Sequence, residues 1–385
     1  MKVSEFVERR ERLAKAVSSL KPGLNHVIVI PSSEVLYMSE RIPYVFRQNT
    51  DFRYLTGCLE PDSVLVLSVS QAGSFKSVLF VRESDARAEL WEGPRTGSKY
   101  AKEMFRVDET HPISDLLGAL EVITRSYSDY ILWYEFRNPA HRKLHTSLVP
   151  FVANSGMKMI ESPKEAMHTL RLIKSKSEQK LLRSSAHIAS EAISQAMGVT
   201  RPGTTEHQLF ATVDYHCRMR GAEFLAYPPV VASGNNANII HYIHNSQVVR
   251  DGELVLMDAG CELHGYCSDI TRTWPASGRF SEAQLTLYEI VLDVQEELLA
   301  WCSRLPSLDE LFNTMCKLLG SKLKEGHVLS RQADKLSLEE VAFKLCPHHV
   351  SHYLGMDVHD TGSVPRNLSL KEGMCLTVEP GNCSF

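Results

Sequence analysis

The chain predicts an α/β domain followed by an α+β domain. Three observations carry this. Short apolar runs alternate with helical patterns from residue 26 to about 160. The texture turns charged and helical between 160 and 175, where the domain boundary is placed. Beyond it, capped helices and hairpin-like strand pairs alternate. The expected domains are 1–165 and 166–385.

The first element is a helix over residues 1–20, with Phe6, Leu13, Val17 and Leu20 at roughly helical spacing. Glu5, Glu8 and Glu11 speak against a mitochondrial presequence, and no apolar signal core is present in this stretch. The runs 26–33, 63–70, 77–81 and 131–136 read as strands of a mixed sheet. In the second domain, Ser175 with Glu178, Ser281 with Gln284 and Ser307 with Glu310 have capping-box spacing. The third of these helices is expected to stop at Gly326. Residues 228–233, 254–263, 266–275 and 374–379 are strand-like.

Composition bounds the function. Forty-two Lys and Arg against 46 Asp and Glu leave a net charge of −4, so no basic excess points to nucleic acid. No apolar run approaches the roughly 20 residues of a membrane span, so no membrane partner is expected. The nine cysteines are scattered and odd in number, which favours reduced thiols in the cytoplasm or mitochondrion over a disulfide framework. The triplets beginning at Asn367 and Asn382 are therefore treated as chance sequons.

Four places hold residues able to do chemistry. A turn centred between Leu263 and His264 would set Asp258 opposite Asp269 on one sheet face, where two like charges among apolar neighbours call for a cation. The bland alternative is two solvated turn residues, and a slip of one residue would put them on opposite faces. Residues 348–360 hold His348, His349, His352 and His359 with Asp357 and Asp360. Each alone reads equally as a hydrogen-bonded core residue; the concentration of four is what stands out. His349 follows His348 where a zinc-protease helix needs Glu, so that motif is absent. Glu379 closes an apolar run before Pro380, and alone reads as a solvated strand end; His241 follows an amide-rich stretch and alone reads as a packed junction residue. Together these residues define a hard, carboxylate-rich site with one imidazole and no thiol. It favours Mn2+ first, then Co2+, Zn2+ or Fe2+, and paired ions would suit hydrolysis of a polarised carbonyl.

The runs 257–275, 348–360 and 377–380 resemble the aminopeptidase P (Xaa-Pro aminopeptidase) branch of the pita-bread metallopeptidases, nearest its eukaryotic, chiefly mitochondrial members. Residues 47–67 and 90–97 resemble that branch's N-terminal domain. The resemblance implies a pita-bread, creatinase-like second domain and removal of the N-terminal residue from peptides whose second residue is proline. It implies two manganese ions on Asp258 and Asp269, with Asp269 bridging, and His352 and Glu379 as ligands of one ion. Glu379 would handle the proton of the attacking hydroxide, His359 would stabilise the oxyanion, and His241 and His348 would line the proline pocket. Homo-oligomerisation, as a dimer or tetramer, is implied through Trp91, either reaching a neighbouring subunit's site or simply packing.

Relatives continue past Thr-x-Glu-Pro-Gly to a Gly-x-Arg-x-Glu-Asp strand whose Glu bridges the metals, whereas this sequence ends at Phe385. The expectation is a domain lacking its last strands, four protein ligands instead of five, an open sheet edge and much reduced or no peptidase activity. The competing readings are a catalytically dead pita-bread binding protein and a prolidase acting on Xaa-Pro dipeptides.

Overall fold

A computed structural model describes residues 1–127, 129–154, 159–326, 328 and 336–381. The sequon at Asn382 and the expectations for Cys383 and the last residues fall outside that set. The chain forms two compact units, Met1–Leu170 and Arg171–Phe385.

The first unit opens with the helix Val3–Leu20. Its six-stranded sheet runs in the order Glu109–Pro112, Phe75–Val81, Val64–Val69, Asn25–Pro31, Tyr130–Trp133, Ile160–Glu161. Asn25–Pro31 and Val64–Val69 pair antiparallel, whereas Asn25–Pro31 and Tyr130–Trp133 pair parallel, so the sheet is mixed. Val64–Val69 is buried at every residue. Burial on both faces explains why it reads as a continuous apolar run rather than an alternating one.

The helix stripe also contains Arg9 and Arg10, both buried. Arg10 donates to the carbonyls of Leu55, Phe105 and Arg106, at or beside the C-terminal ends of the helices Thr50–Thr56 and Gly97–Phe105. A guanidinium satisfies the terminal carbonyls that those helices leave without partners.

In the second unit, Lys176–Val199, Glu282–Trp301 and Leu308–Glu325 begin with the expected capping boxes. Glu206–Met219 and Leu338–Leu345 carry two more, from Thr205 and Ser337. Leu308–Glu325 stops at Gly326, whose φ of −74° is not left-handed. Helices Lys176–Val199 and Glu206–Met219 bury Ala189, Ile193, Leu209 and Val213 in one core with Val255, Met257 and Ala259. Those three residues alternate along the strand Leu254–Ala259, the centre of a three-stranded antiparallel sheet with Val230–Ser233 and Ile270–Pro275. The opposite face of that strand carries Leu254, Leu256 and Asp258, each half-buried. This second face is where the candidate site lies.

Candidate active site

The two aspartates come from one bent hairpin. Its turn residues are His264 and Gly265, both with positive φ (51° and 86°), the two-residue turn that matches strand twist. The turn therefore lies one residue later than the sequence suggested. Leu263 pairs with Tyr266, and Asp258 faces Thr271 rather than Asp269. This corrects the expected direct opposition. The register error is two residues, which preserves the sheet face, so both carboxylates still meet. Tyr227 Oη contacts Oδ1 of Asp258 and lies 2.9 Å from Oδ1 of Asp269. Between the aspartates the ladder breaks at Gly260, where a Cβ would strike the carbonyl of Ser268.

His352 and Glu379 come from a second antiparallel pairing. Leu354 N–H donates to Cys375 O, Thr377 N–H to His352 O and Glu379 N–H to Val350 O, at 2.9, 3.0 and 2.9 Å. Residues 374–379 thus pair as a strand does, except that His352 N–H donates to the Thr377 hydroxyl at 3.1 Å. With a period of two, Thr377 and Glu379 lie on one face, and Thr377 Oγ1 donates to Glu379 Oε1 at 2.7 Å. His352 Nε2 sits 3.1 Å from Asp269 Oδ2 and 3.2 Å from Glu379 Oε1. Among the described residues, no three His, Cys, Asp or Glu side chains stand ready-arranged to hold a metal ion. The four candidates instead close on one another through these contacts.

The electrostatics follow. Burial and the neighbouring Asp269 charge push the Asp258 carboxyl up to about 7. Burial also opposes ionisation of Asp269, but its bond to His352 outweighs this and lowers its pKa. Burial would lower His352, yet its bonds to Asp269 and Glu379 raise it to about 10. Tyr227 is raised well above its ordinary value by burial and the two aspartates.

The remaining predicted residues ring this cluster. His359 meets His352 edge to face, with ring centroids 4.5 Å apart at 73°. Burial, then the charge of His352, lowers its pKa; His241 also acts on it electrostatically. His241 itself is exposed. His348 is half-buried; its Nδ1 lies 3.1 Å from His349 O and its Nε2 3.4 Å from Cys346 Sγ. The Cys346 contact raises it to about 9. His349 instead stacks on Phe312, at 4.9 Å. Asp357 and Asp360 pair with Arg171, and Asp360 also with Lys174 Nζ at 3.0 Å, so this half of the cluster is structural. Cys267 N–H donates to Gly355 O at 2.8 Å, tying the 355–360 loop to the segment that carries Asp269. Trp91 is 83% exposed. Sequence reasoning missed Tyr227, whose one cue was its place just before the strand-like run 228–233.

This site geometry belongs to a chain that matches two family models. Residues 180–384 match metallopeptidase family M24, and residues 6–133 match the aminopeptidase P N-terminal domain. Mouse Xaa-Pro aminopeptidase 3 is 42% identical over 98% of this chain and 76% of its own length. Arabidopsis thaliana intermediate cleaving peptidase 55, mitochondrial, is 37% identical over 99% of this chain and 73% of its own. Among solved structures, zinc-substituted Escherichia coli aminopeptidase P in complex with product superposes with a TM-score of 0.88 at 33% identity, over 99% of this chain and 87% of that one. Proline aminopeptidase P II from Yersinia pestis gives 0.88 at 32%, over 99% and 88%. The chain is a metallopeptidase of family M24 with a pita-bread second domain. Within that family it belongs to the aminopeptidase P, or Xaa-Pro aminopeptidase, branch.

Proposed function

We propose that this chain removes the N-terminal residue from peptides with proline in second place, at a paired divalent-metal site held by Asp258, Asp269, His352 and Glu379. The observation that carries the reading is the mutual contact of these side chains: Tyr227 Oη touches both aspartates, and His352 Nε2 lies within 3.2 Å of both Asp269 and Glu379. The donor chemistry fits too. Three carboxylates and an imidazole without thiol favour manganese, with cobalt, zinc or iron as substitutes. His352 Nδ1 lies 3.1 Å from Tyr353 O. A carbonyl only accepts, so Nδ1 carries a proton, and a cation binding at Nε2 would displace the proton that Nε2 shares with Asp269 and Glu379. Bound ions would supply Lewis-acid polarisation of the scissile carbonyl and lower the pKa of a water.

In this reading Glu379 takes the proton of the attacking water, positioned by the Thr377 hydroxyl. His359 donates to the developing oxyanion. His241 and His348 flank the proline that follows the scissile bond. Exposed Trp91 is available to a neighbouring subunit of a homo-oligomer. Mitochondrial residence draws support from the Arabidopsis relative, whose name carries that compartment.

The test is metal analysis together with hydrolysis of an Xaa-Pro-Xaa peptide, an Xaa-Pro dipeptide and an Xaa-Ala-Xaa control. Manganese-dependent release of the first residue from the tripeptide alone is expected. Equal cleavage of the alanine control, or metal content unchanged by His352→Ala, would overturn the assignment.

A further inference from the structure

We propose that Glu206, far from the reacting groups in sequence, is the positioning residue that sets the substrate-facing loop 234–246, and with it the affinity for the peptide. The proposal rests on the aminopeptidase reading above.

Glu206 is the first residue of Glu206–Met219 and is 0% exposed. Its helix does not need it, because Thr205 and Gln208 already complete a capping box. A fully buried carboxylate is rare unless it is paired. All of the side-chain acceptor bonds of Glu206 go to the segment 233–247 instead. Oε1 accepts from Ser233 N at 2.8 Å, Ser233 Oγ at 2.8 Å and Asn236 Nδ2 at 3.0 Å. Oε2 accepts from Tyr242 Oη at 2.8 Å and Gln247 N at 2.9 Å.

These donors lie at the start, the middle and the end of one excursion. It leaves the strand Val230–Ser233, whose Val230 is the cross-strand partner of Asp258. It returns beside the helix start, where Glu206 N–H donates to Gln247 O at 2.9 Å. Asn245, at a φ of 49°, adds a second tie by accepting from Val231 N at 2.8 Å and donating to Pro229 O at 2.9 Å. What the frame presents outward is His241 between Ile240 and Ile243, which are 44% and 56% exposed. Apolar side chains held open beside an imidazole suit a pyrrolidine ring and the residue after it. One buried carboxylate therefore joins the Asp258 sheet to the rim that would meet the departing side of the substrate.

The experiment compares wild type, Glu206→Gln and Tyr242→Phe in the full chain. Glutamine keeps one carbonyl oxygen but sets an NH2 where Gln247 N–H or Tyr242 needs an acceptor. For an Xaa-Pro-Xaa peptide, KM is expected to rise about tenfold in Glu206→Gln, the worth of one charge-assisted hydrogen bond. Bound manganese per chain and kcat are expected to stay within about threefold, since only positioning is lost. Amide exchange over 234–246 should quicken about tenfold while the strand Leu254–Ala259 keeps its protection. Tyr242→Phe should move the same readouts in the same direction by less. Unchanged loop exchange, or kcat and metal content falling while KM holds, would overturn the proposal. If Glu206→Gln fails to fold, Tyr242→Phe decides by the same readouts. If the wild type cleaves no Xaa-Pro peptide, the functional reading fails on its own, and loop exchange still decides whether Glu206 sets the loop.

Discussion

Replacing Gly260 with alanine should damage the site without touching a candidate ligand. A Cβ built there collides with Ser268 O, falls 2.6 Å from Ser268 C and reaches 3.1 Å from Tyr227 Cε1. Two of these atoms are backbone, in a segment tied on both sides: Ser268 N–H donates to Cys261 O at 3.0 Å, and Cys261 N–H to Ser268 Oγ at 3.0 Å. The strain cannot be relieved by turning a side chain. Overpacking of this kind costs about 3 kcal/mol. In a unit of this size that corresponds to a melting temperature lower by about 6–12 °C. Whatever relief occurs moves Ser268, hence Asp269 next to it, and pushes on the Tyr227 ring. A misplacement of about 1 Å costs on the order of 100-fold in rate. Calorimetry and peptide hydrolysis, run in parallel, provide the assay. Gly198→Ala is the internal control, because nothing lies within 4 Å of a Cβ there and the residue is helical. It should stabilise by about 0.5–1 kcal/mol. A Gly260→Ala protein that melts within about 2 °C of wild type and keeps full activity would refute the steric reasoning.

Three further outcomes are expected. Asp360→Ala strips a buried carboxylate from Arg171 and from Lys174, which is 3% exposed, and should lower stability by about 3–5 kcal/mol in urea titration. Thr377→Val removes the hydroxyl that orients Glu379 and receives His352 N–H, and should weaken manganese binding about 10–100-fold by calorimetric titration. Burial opposes ionisation of Glu206, but its bonds from Asn236, Gln247 and Ser233 outweigh it and hold its pKa below the ordinary 4.5. Its stabilisation is therefore full above pH ~4.5 and is lost as pH falls through the lower folded-state value. The stability gap between wild type and Glu206→Gln should be widest near neutrality and narrow in acid; a gap that grew on acidification would contradict the assignment.

The parts of the fold that show in the sequence are those whose periodicity comes from burial. Val64–Val69 and Phe75–Val81 are recognisable because they sit inside a sheet covered on both faces. Glu109–Pro112 and Ile160–Glu161 escape notice because they are short outer strands with little apolar content. Only the tertiary structure brings helix-end carbonyls to Arg10. Tyr227 and Glu206 are hidden for the same reason. One stands beside a proline pair and the other behind a capping threonine, and the partners of both lie distant in sequence.

In the site, face and register are set by different features of the chain. The turn at His264 and Gly265 lies one residue past the centre that the spacing predicts, which moves each opposed partner by two, so Asp258 faces Thr271. Side chains alternate with a period of two, so an even shift leaves every residue on its face, whereas an odd one sets the two aspartates on opposite faces of the sheet. The same parity governs the second pairing. His352 faces Thr377, and Glu379 follows two residues later on the same side, although His352 N–H bonds to a hydroxyl rather than to the expected carbonyl. Face is carried by the local alternation of residues. Register is carried by the turn, where the positive φ of His264 and Gly265 decides which residues are opposed. The convergence of the two aspartates with His352 and Glu379 depends on the first of these, so it is preserved under any even shift of the second.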